Sequence, residues 1–540
     1  MGALLAAVPI VVVLVLMVGR RWPASRAGAV GAALALGIAL VGFDLGRGTP
    51  ADVGTPGALG GTLGEALFTS ATILWIVLPA LAIHHLQVAT GATERLRIAL
   101  GGLAADPRLL ALLIGWFFAL FVEGAAGFGA SVALAAPFLV GVGYRPLDAV
   151  VVAMLGHAIG VSFGAIGTPL VPQVAATGLR GIEISGPTAR LHLAVGGLLL
   201  VAMVLVASRA VERPARGAIW GWTALAGVAF LVPYWAIAEF VGPELPTLGG
   251  ALLGAGIFVV ALRLRGAGTP DATVLPAVAP SSATPPIERT PADPLPAGAP
   301  AGPDPGTLAR PTGAELVRAA APYLVLIAAV LLTRLVPAVR DPLRAVELAW
   351  ELPGGFRGSF LPLSHPGTLL VVAFLGGALW QRVGGQAVVD ALRVTVRQLG
   401  AVTVALVTML TLARTMVHAG MTQELAAAAA AGAGAGWPVL APLVGVLGTF
   451  VTGSATASNV LFTDLQTATA DALTLPVVPM QAAQGFGAAV GNIVCPHNIV
   501  AAGATVGLTG GEGEVLRRTL LPAVGYALAG GLVTLLIVLG

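Results

Sequence analysis

Apolar runs of roughly 17–25 residues recur along most of the chain, the length a helix needs to cross a hydrocarbon core of about 30 Å. They fall near residues 2–18, 27–43, 64–88, 190–208, 218–238, 246–262, 314–333, 366–382, 395–417 and 516–537. Four further apolar stretches carry breaks. Residues 109–142 number 34 and are interrupted centrally by "EGAAGFGA". As one helix they would run about 50 Å, too long for the core. Two half-helices joined by a glycine-rich tip, a re-entrant hairpin, suit them better. Residues 437–472 repeat this plan with the tip "TGSATASN", while 147–172 and 476–508 read as spans broken by "GAIGTPLVP" and "GNIVCPHN".

The breaks recur at matching intervals. Gly124 precedes Gly164 by 40 residues and Gly453 precedes Gly491 by 38, and the two pairs are offset by 329 and 327 residues. The spans at 64–88 and 190–208 shift by about the same amount onto 395–417 and 516–537. Paired interrupted segments at corresponding positions mark the binding site of a secondary transporter. Between the halves, residues 264–312 are rich in Pro, Ala and Gly and predict a disordered linker. The expected organisation is a first repeat over 1–210, a connecting helix pair over 211–263, the linker, and a second repeat over 313–540.

Composition excludes a soluble domain: 10% of the 540 residues are charged and the mean hydropathy is +0.93, where a soluble domain carries about 25% charged residues. The single cysteine, Cys495, excludes an internal disulfide and a cysteine-based metal cluster. A net charge of +3 does not suggest nucleic acid. No cofactor and no metal is expected. The first apolar run lacks a basic segment before it and is followed by Arg20, Arg21 and Arg26, which predicts a retained span with its N-terminus outside. Carried along the chain, the arginine pattern puts both termini outside and the linker in the cytoplasm, provided the hairpins do not cross. The expected fold is thus an all-α polytopic membrane protein, with about 12 transmembrane helices plus two re-entrant hairpins, in two inverted-topology repeats with broken helices. The arginine-bearing loop 334–365 falls outside, against the charge rule.

Non-helical backbone at membrane depth survives only against protein or a water-filled cavity, so the four breaks are expected to meet. Half-helix N-termini there offer free N–H groups and partial positive charge to an anion. Glycine lets a ligand approach the backbone, which singles out Gly127, Gly129 and Gly164. Ser131, Thr168, Ser454, Thr456, Ser458, Asn459, Asn492 and Asn498 add hydroxyls and amides, and His497 a ring that can donate to substrate. Few cations line the breaks, which favours a small, weakly charged anion. Glycines that only let helices pack closely, and hydroxyls that only bond their own helix carbonyls, are the plainer readings. Glu123, just before the first tip, is paired, capped or protonated, since an ionised carboxylate at the membrane centre costs about 2.5–3.5 kcal/mol or more. Protonation would make it a proton carrier. His157 and Asp464 are further proton-coupling candidates.

The stretches "EGAAGFGASVALAAPFLVGVGYRPLDAV", "FGAIGTP", "GSATASNVLFTDLQ" and "VCPHNIVAAGATVGLTGGEGEVLRRTL" resemble the bacterial L-lactate permease family, in order and through both halves. The resemblance implies a proton-coupled permease for 2-hydroxymonocarboxylates such as L-lactate, D-lactate or glycolate in the cytoplasmic (inner) membrane. The wider plan resembles the ion transporter superfamily, whose dicarboxylate members bind substrate at hairpin tips. That likeness makes Ser458 and Asn459 substrate or ion contacts. Two positions depart from the family pattern: Ala455, where a polar residue is usual, and Ser131, where proline is frequent.

The sequence therefore predicts a symporter of a small 2-hydroxymonocarboxylate with a proton, working by alternating access. Its partners are that anion, the proton and the lipid bilayer, with no nucleic acid and a homodimer left open. A sodium-coupled transporter of another small carboxylate or sulfonate is the alternative. A serine hydrolase built on Ser454 or Ser458 with His497 lacks a GxSxG elbow, and a passive channel lacks a continuous polar stripe.

Overall fold

A computed structural model describes residues 2–20, 22, 24–43, 45, 53–101, 103–127, 129–213, 215–265, 311–508 and 511–540. Nearly all of the linker expected over 264–312 lies outside them. The described chain is almost wholly helical, because apolar runs without polar alternation can satisfy their backbone only within themselves. Among the described residues, eight helices are long and apolar enough to cross a membrane, or up to 11 when each bent pair counts once. The expected count of about 12 is not reached by that measure.

Both long hairpins form. The first descends through Pro107–Leu110, a π-helical stretch Ala111–Phe118 and Ala119–Ala125, and returns through Ala130–Gly141. The second comprises Trp437–Thr452 and Ala455–Ala472. Its tip is narrower than the sequence suggested: only Gly453 and Ser454 leave the helix, so Thr456, Ser458 and Asn459 sit in the first turns of the returning arm. Both broken segments form as well. The first runs Pro146–His157, then a 3₁₀ stretch Ala158–Phe163, a left-handed turn and Val171–Thr177. The second runs Val477–Gly491 and Pro496–Thr505.

Each hairpin crosses the broken segment that follows it at a glycine. A Cβ on Gly156 would lie 1.8 Å from the Gly115 carbonyl oxygen, and one on Gly487 would lie 1.9 Å from that of Pro442. Gly156 and Gly487 are 331 residues apart, so the two halves use the same close crossing. Around these cores lie the long helices Gly54–Ala89 and Gly385–His418, which pack on each other, and the bent pair Gly181–Val195 and Gly197–Ala210, turned by 47°.

The loop 334–365 departs from the all-helical expectation. It holds helix Pro337–Arg344 and a two-stranded antiparallel hairpin, Leu348–Leu352 with Phe356–Phe360, in which Trp350 faces Gly358. The hairpin docks on the long helices: Phe356 is fully buried against the His418 ring, and the Arg357 N–H donates to Glu65 Oε1 at 2.9 Å. His418 Nε2 lies 2.8 Å from the other Glu65 oxygen.

Candidate functional site

All four breaks border one cavity. Its wall comprises Glu123 and Gly127 from the first hairpin, and Val161, Gly164, Ala165, Thr168 and Pro169 from the first broken segment. Gly453, Ser454, Ala455 and Thr456 come from the second hairpin and Asn492 from the second broken segment. Its volume is about 40 Å³, room for a few waters and far below the roughly 300–1,000 Å³ of ordinary ligand sites.

The first broken segment supplies the most unusual backbone. Ala165, Ile166 and Gly167 are consecutive left-handed residues, with φ of 40°, 60° and 78°. A β-branched residue there is a real outlier, and such strain of about 1–3 kcal/mol per residue concentrates at functional sites. Thr168 closes the turn by donating from Oγ1 to the Ala165 carbonyl at 2.5 Å. The turn lifts Gly164–Thr168 off the helical hydrogen-bond ladder beside the cavity.

Glu123 is 3% exposed. Its Oε2 accepts from Ser131 Oγ at 2.7 Å. Its Oε1 lies so near Gly164 that a Cβ there would come within 2.4 Å. Among the described residues, no arginine or histidine lines the cavity. Opposite, Ser454 caps Ala455–Ala472, its Oγ accepting from the Ala457 N–H at 3.4 Å. The N–H groups of Ala455 and Thr456, on the cavity wall, have no intrahelical acceptor. Asn492 faces the same space, and its Oδ1 accepts from Asn498 Nδ2 at 2.7 Å.

Other expected site residues lie behind this wall. Gly129, at φ 80°, leaves room for Asn498 Oδ1, which a Cβ would approach to 2.9 Å. Ser458 donates to the Gly445 carbonyl at 2.8 Å, and Asn459 Nδ2 donates to the Pro169 carbonyl at 2.8 Å. Both are fully buried. Asn459 thereby ties the second hairpin to the first broken segment. His157 is buried with Nδ1 3.1 Å from the Ala153 carbonyl and Nε2 without a partner, and it does not border the cavity. Asp464 is half-buried beside Arg414, His418 and Glu65, also away from it. The His497 side chain lies outside the described residues.

Two buried networks were not foreseen. Gln484 donates to Ser458 Oγ and Asn459 Oδ1 and accepts from Gln466, while Gln173 donates to Gln481. The amides at 481 and 484, one turn apart in an apolar helix, were a readable signal. Ser162 Oγ meets His192 Nε2 at 2.8 Å, and His192 Nδ1 meets Tyr526 OH at 2.7 Å. Nothing in the stretch around His192 marks it out from an interfacial histidine.

The family model of L-lactate permease matches residues 2–351 and 355–539. The chain belongs to the L-lactate permease family. The L-lactate permease of Bacillus subtilis (strain 168) is 28% identical to it, over 96% of this chain and 93% of that protein. The glycolate permease GlcA of Escherichia coli (strain K12) is 29% identical, over 99% of this chain and 95% of its own. In fold the permease resembles the YdaH transporter of Alcanivorax borkumensis, with a TM-score of 0.52 at 17% identity, covering 95% of this chain and 98% of that one. The permease is a multi-pass membrane transporter and not an enzyme.

Proposed function

We propose that the permease carries a small 2-hydroxymonocarboxylate, L-lactate or glycolate in the first instance, together with a proton across the cytoplasmic membrane. The observation that carries this reading is the meeting of all four breaks at one cavity that holds a buried carboxyl, Glu123, and the N-terminus of Ala455–Ala472. Helix N–H groups and Asn492 would hold the substrate carboxylate. Thr168, Ser454 and Thr456 are placed to meet its hydroxyl. The names of its relatives, L-lactate and glycolate permeases, support that substrate class.

Proton coupling follows from charge. Bringing a monoanion beside an ionised Glu123, in a cavity whose described wall carries no cation, is costly, and a proton on Glu123 removes that cost. One proton with one monoanion is electroneutral. The cavity is too small for the anion as it stands, so transport requires the tips to part alternately toward each side. The two halves then act as the inverted repeats expected over 1–210 and 313–540. Uptake into proteoliposomes driven by a pH gradient, against a sodium gradient, tests this: uptake driven by sodium alone would overturn proton coupling. A panel of competing short carboxylates would identify the substrate.

A further inference from the structure

A second and larger cavity, about 560 Å³, lies between the descending arm of the first hairpin, helix Ala92–Gly101, helix Pro246–Leu264 and the start of Gly313–Ala319. Its wall is apolar, with Leu96, Phe117, Phe118, Phe121, Leu252 and Val259 among its members, and Arg263 is the one charged side chain on it among the described residues. None of the residues bordering the four breaks contributes.

Three observations set the chemistry that suits it. Helix Pro246–Leu264 also exposes Leu253, Ile257, Val260 and Leu264, so the groove opens beside a wall built to face lipid chains. Arg263 is exposed and no described carboxylate pairs with it. Two residues on, Arg265 holds its guanidinium 5.4 Å from the Trp222 ring centre, and Arg95 and Arg318 flank Glu315, the neighbour of the cavity-lining Leu316. Glu315 is occupied in capping its own helix through Thr312. An apolar slot with a basic rim at a helix end is the arrangement that holds an acyl chain and an anionic head group together.

We propose that this groove binds one anionic phospholipid, its acyl chain against Phe117, Phe118 and Phe121 and its phosphate on Arg263. The site goes beyond substrate transport, but the arm it touches is the one that ends at Glu123. A lipid seated there would brace the π-helical stretch Ala111–Phe118.

The test uses the full-length permease in detergent, offered phosphatidylglycerol and phosphatidylcholine in equal amounts, with bound lipid read by native mass spectrometry. Wild type should retain phosphatidylglycerol in preference. Arg263→Gln should lower that preference about fivefold, the effect of one arginine near a lipid phosphate. Ala255→Phe, which fills the groove, should release both lipids; should it fail to fold, Arg263→Gln decides alone. Equal retention of the two lipids by wild type, or an unchanged preference in Arg263→Gln, would overturn the proposal. So would lipid that binds only after residues 270–305 are deleted, since the chain itself would then be the occupant. Bound lipid is read independently of uptake, so a wrong substrate assignment leaves this test untouched.

Discussion

Ser131 Oγ donates to Glu123 Oε2 at 2.7 Å, joining the two arms of the first hairpin just above its tip. The other carboxyl oxygen rests on the Gly164 backbone, where no Cβ fits. Glu123 is thereby aimed at the cavity with one hydroxyl donor and, among the described residues, no cation on the wall. Ser131 is also a position where the family resemblance suggested proline, so this chain holds its carboxyl with a contact proline cannot make.

Glu123→Gln keeps the size of the side chain and an oxygen for Ser131 but cannot release a proton. Uptake driven by a pH gradient should fall by about tenfold or more, equivalent to about 1.4 kcal/mol on the coupled step. Exchange of labelled for unlabelled substrate, which needs no net proton movement, should survive. Equal retention of both activities would remove Glu123 as the proton carrier. Ser131→Ala should show the same pattern more weakly.

Gly164→Ala tests the approach of the carboxyl to the broken backbone. The added methyl would lie 2.4 Å from Glu123 Oε1, so the carboxyl or the left-handed turn must move. Transport should be lost while the protein still inserts. Gly197→Ala is the control: a Cβ there meets nothing within 4 Å, and alanine favours a helix by up to about 1 kcal/mol. Comparable uptake by the two variants would show that the Gly164 contact has no functional weight.

Much of this arrangement was legible because apolar helices tolerate few interruptions. Glycine, proline and amides set into runs such as 147–172 and 476–508 cannot be silent in hydrocarbon, so the four breaks and their offset could be read directly. Partner choice could not. A buried amide must be satisfied, but nothing in "TGSATASN" says whether Asn459 bonds a ligand or the Pro169 carbonyl, some 290 residues away. The β-hairpin over 348–360 escaped for a related reason. Its short strands gain stability from docking Phe356 and Trp350 onto distant helices, and that packing leaves no periodic mark in the loop.

Asn459→Ala leaves the Pro169 carbonyl buried without its donor and takes one acceptor from Gln484. An unsatisfied buried group costs about 1–3 kcal/mol. A lower melting temperature in detergent and weaker apparent substrate affinity are both expected, because the lost bond holds the tip of one half against the break of the other. A melting temperature lowered with unchanged dependence on substrate concentration would confine Asn459 to stability.

Deleting residues 270–305 should leave uptake intact. The segment falls within the Pro, Ala and Gly-rich stretch between the halves, and the described cavity wall is supplied by the hairpins and broken segments on either side of it. A variant that inserts normally but does not transport would show that the stretch is more than a spacer.

His192 joins the halves at a second place. Ser162 Oγ donates to the Gly485 carbonyl at 3.3 Å, so it accepts from His192 Nε2–H and leaves Nδ1 to accept from the Tyr526 hydroxyl. One neutral tautomer satisfies the whole chain, which starts in the 3₁₀ break of the first half and ends in the closing helix of the second. Tyr526→Phe removes the donor to Nδ1, and His192→Phe removes both bonds while keeping an apolar ring among Tyr234, Phe486 and Tyr526. If the chain acts as a unit, the double variant should cost less than the two single losses together, by roughly 0.5–3 kcal/mol in a thermal or denaturant series. Additive losses would mean that His192 is packed beside Tyr526 without the hydrogen bond carrying weight. His192→Gln, which can still donate toward Ser162, should recover more uptake than His192→Phe at equal folded yield, because it restores the contact to the break that borders the cavity.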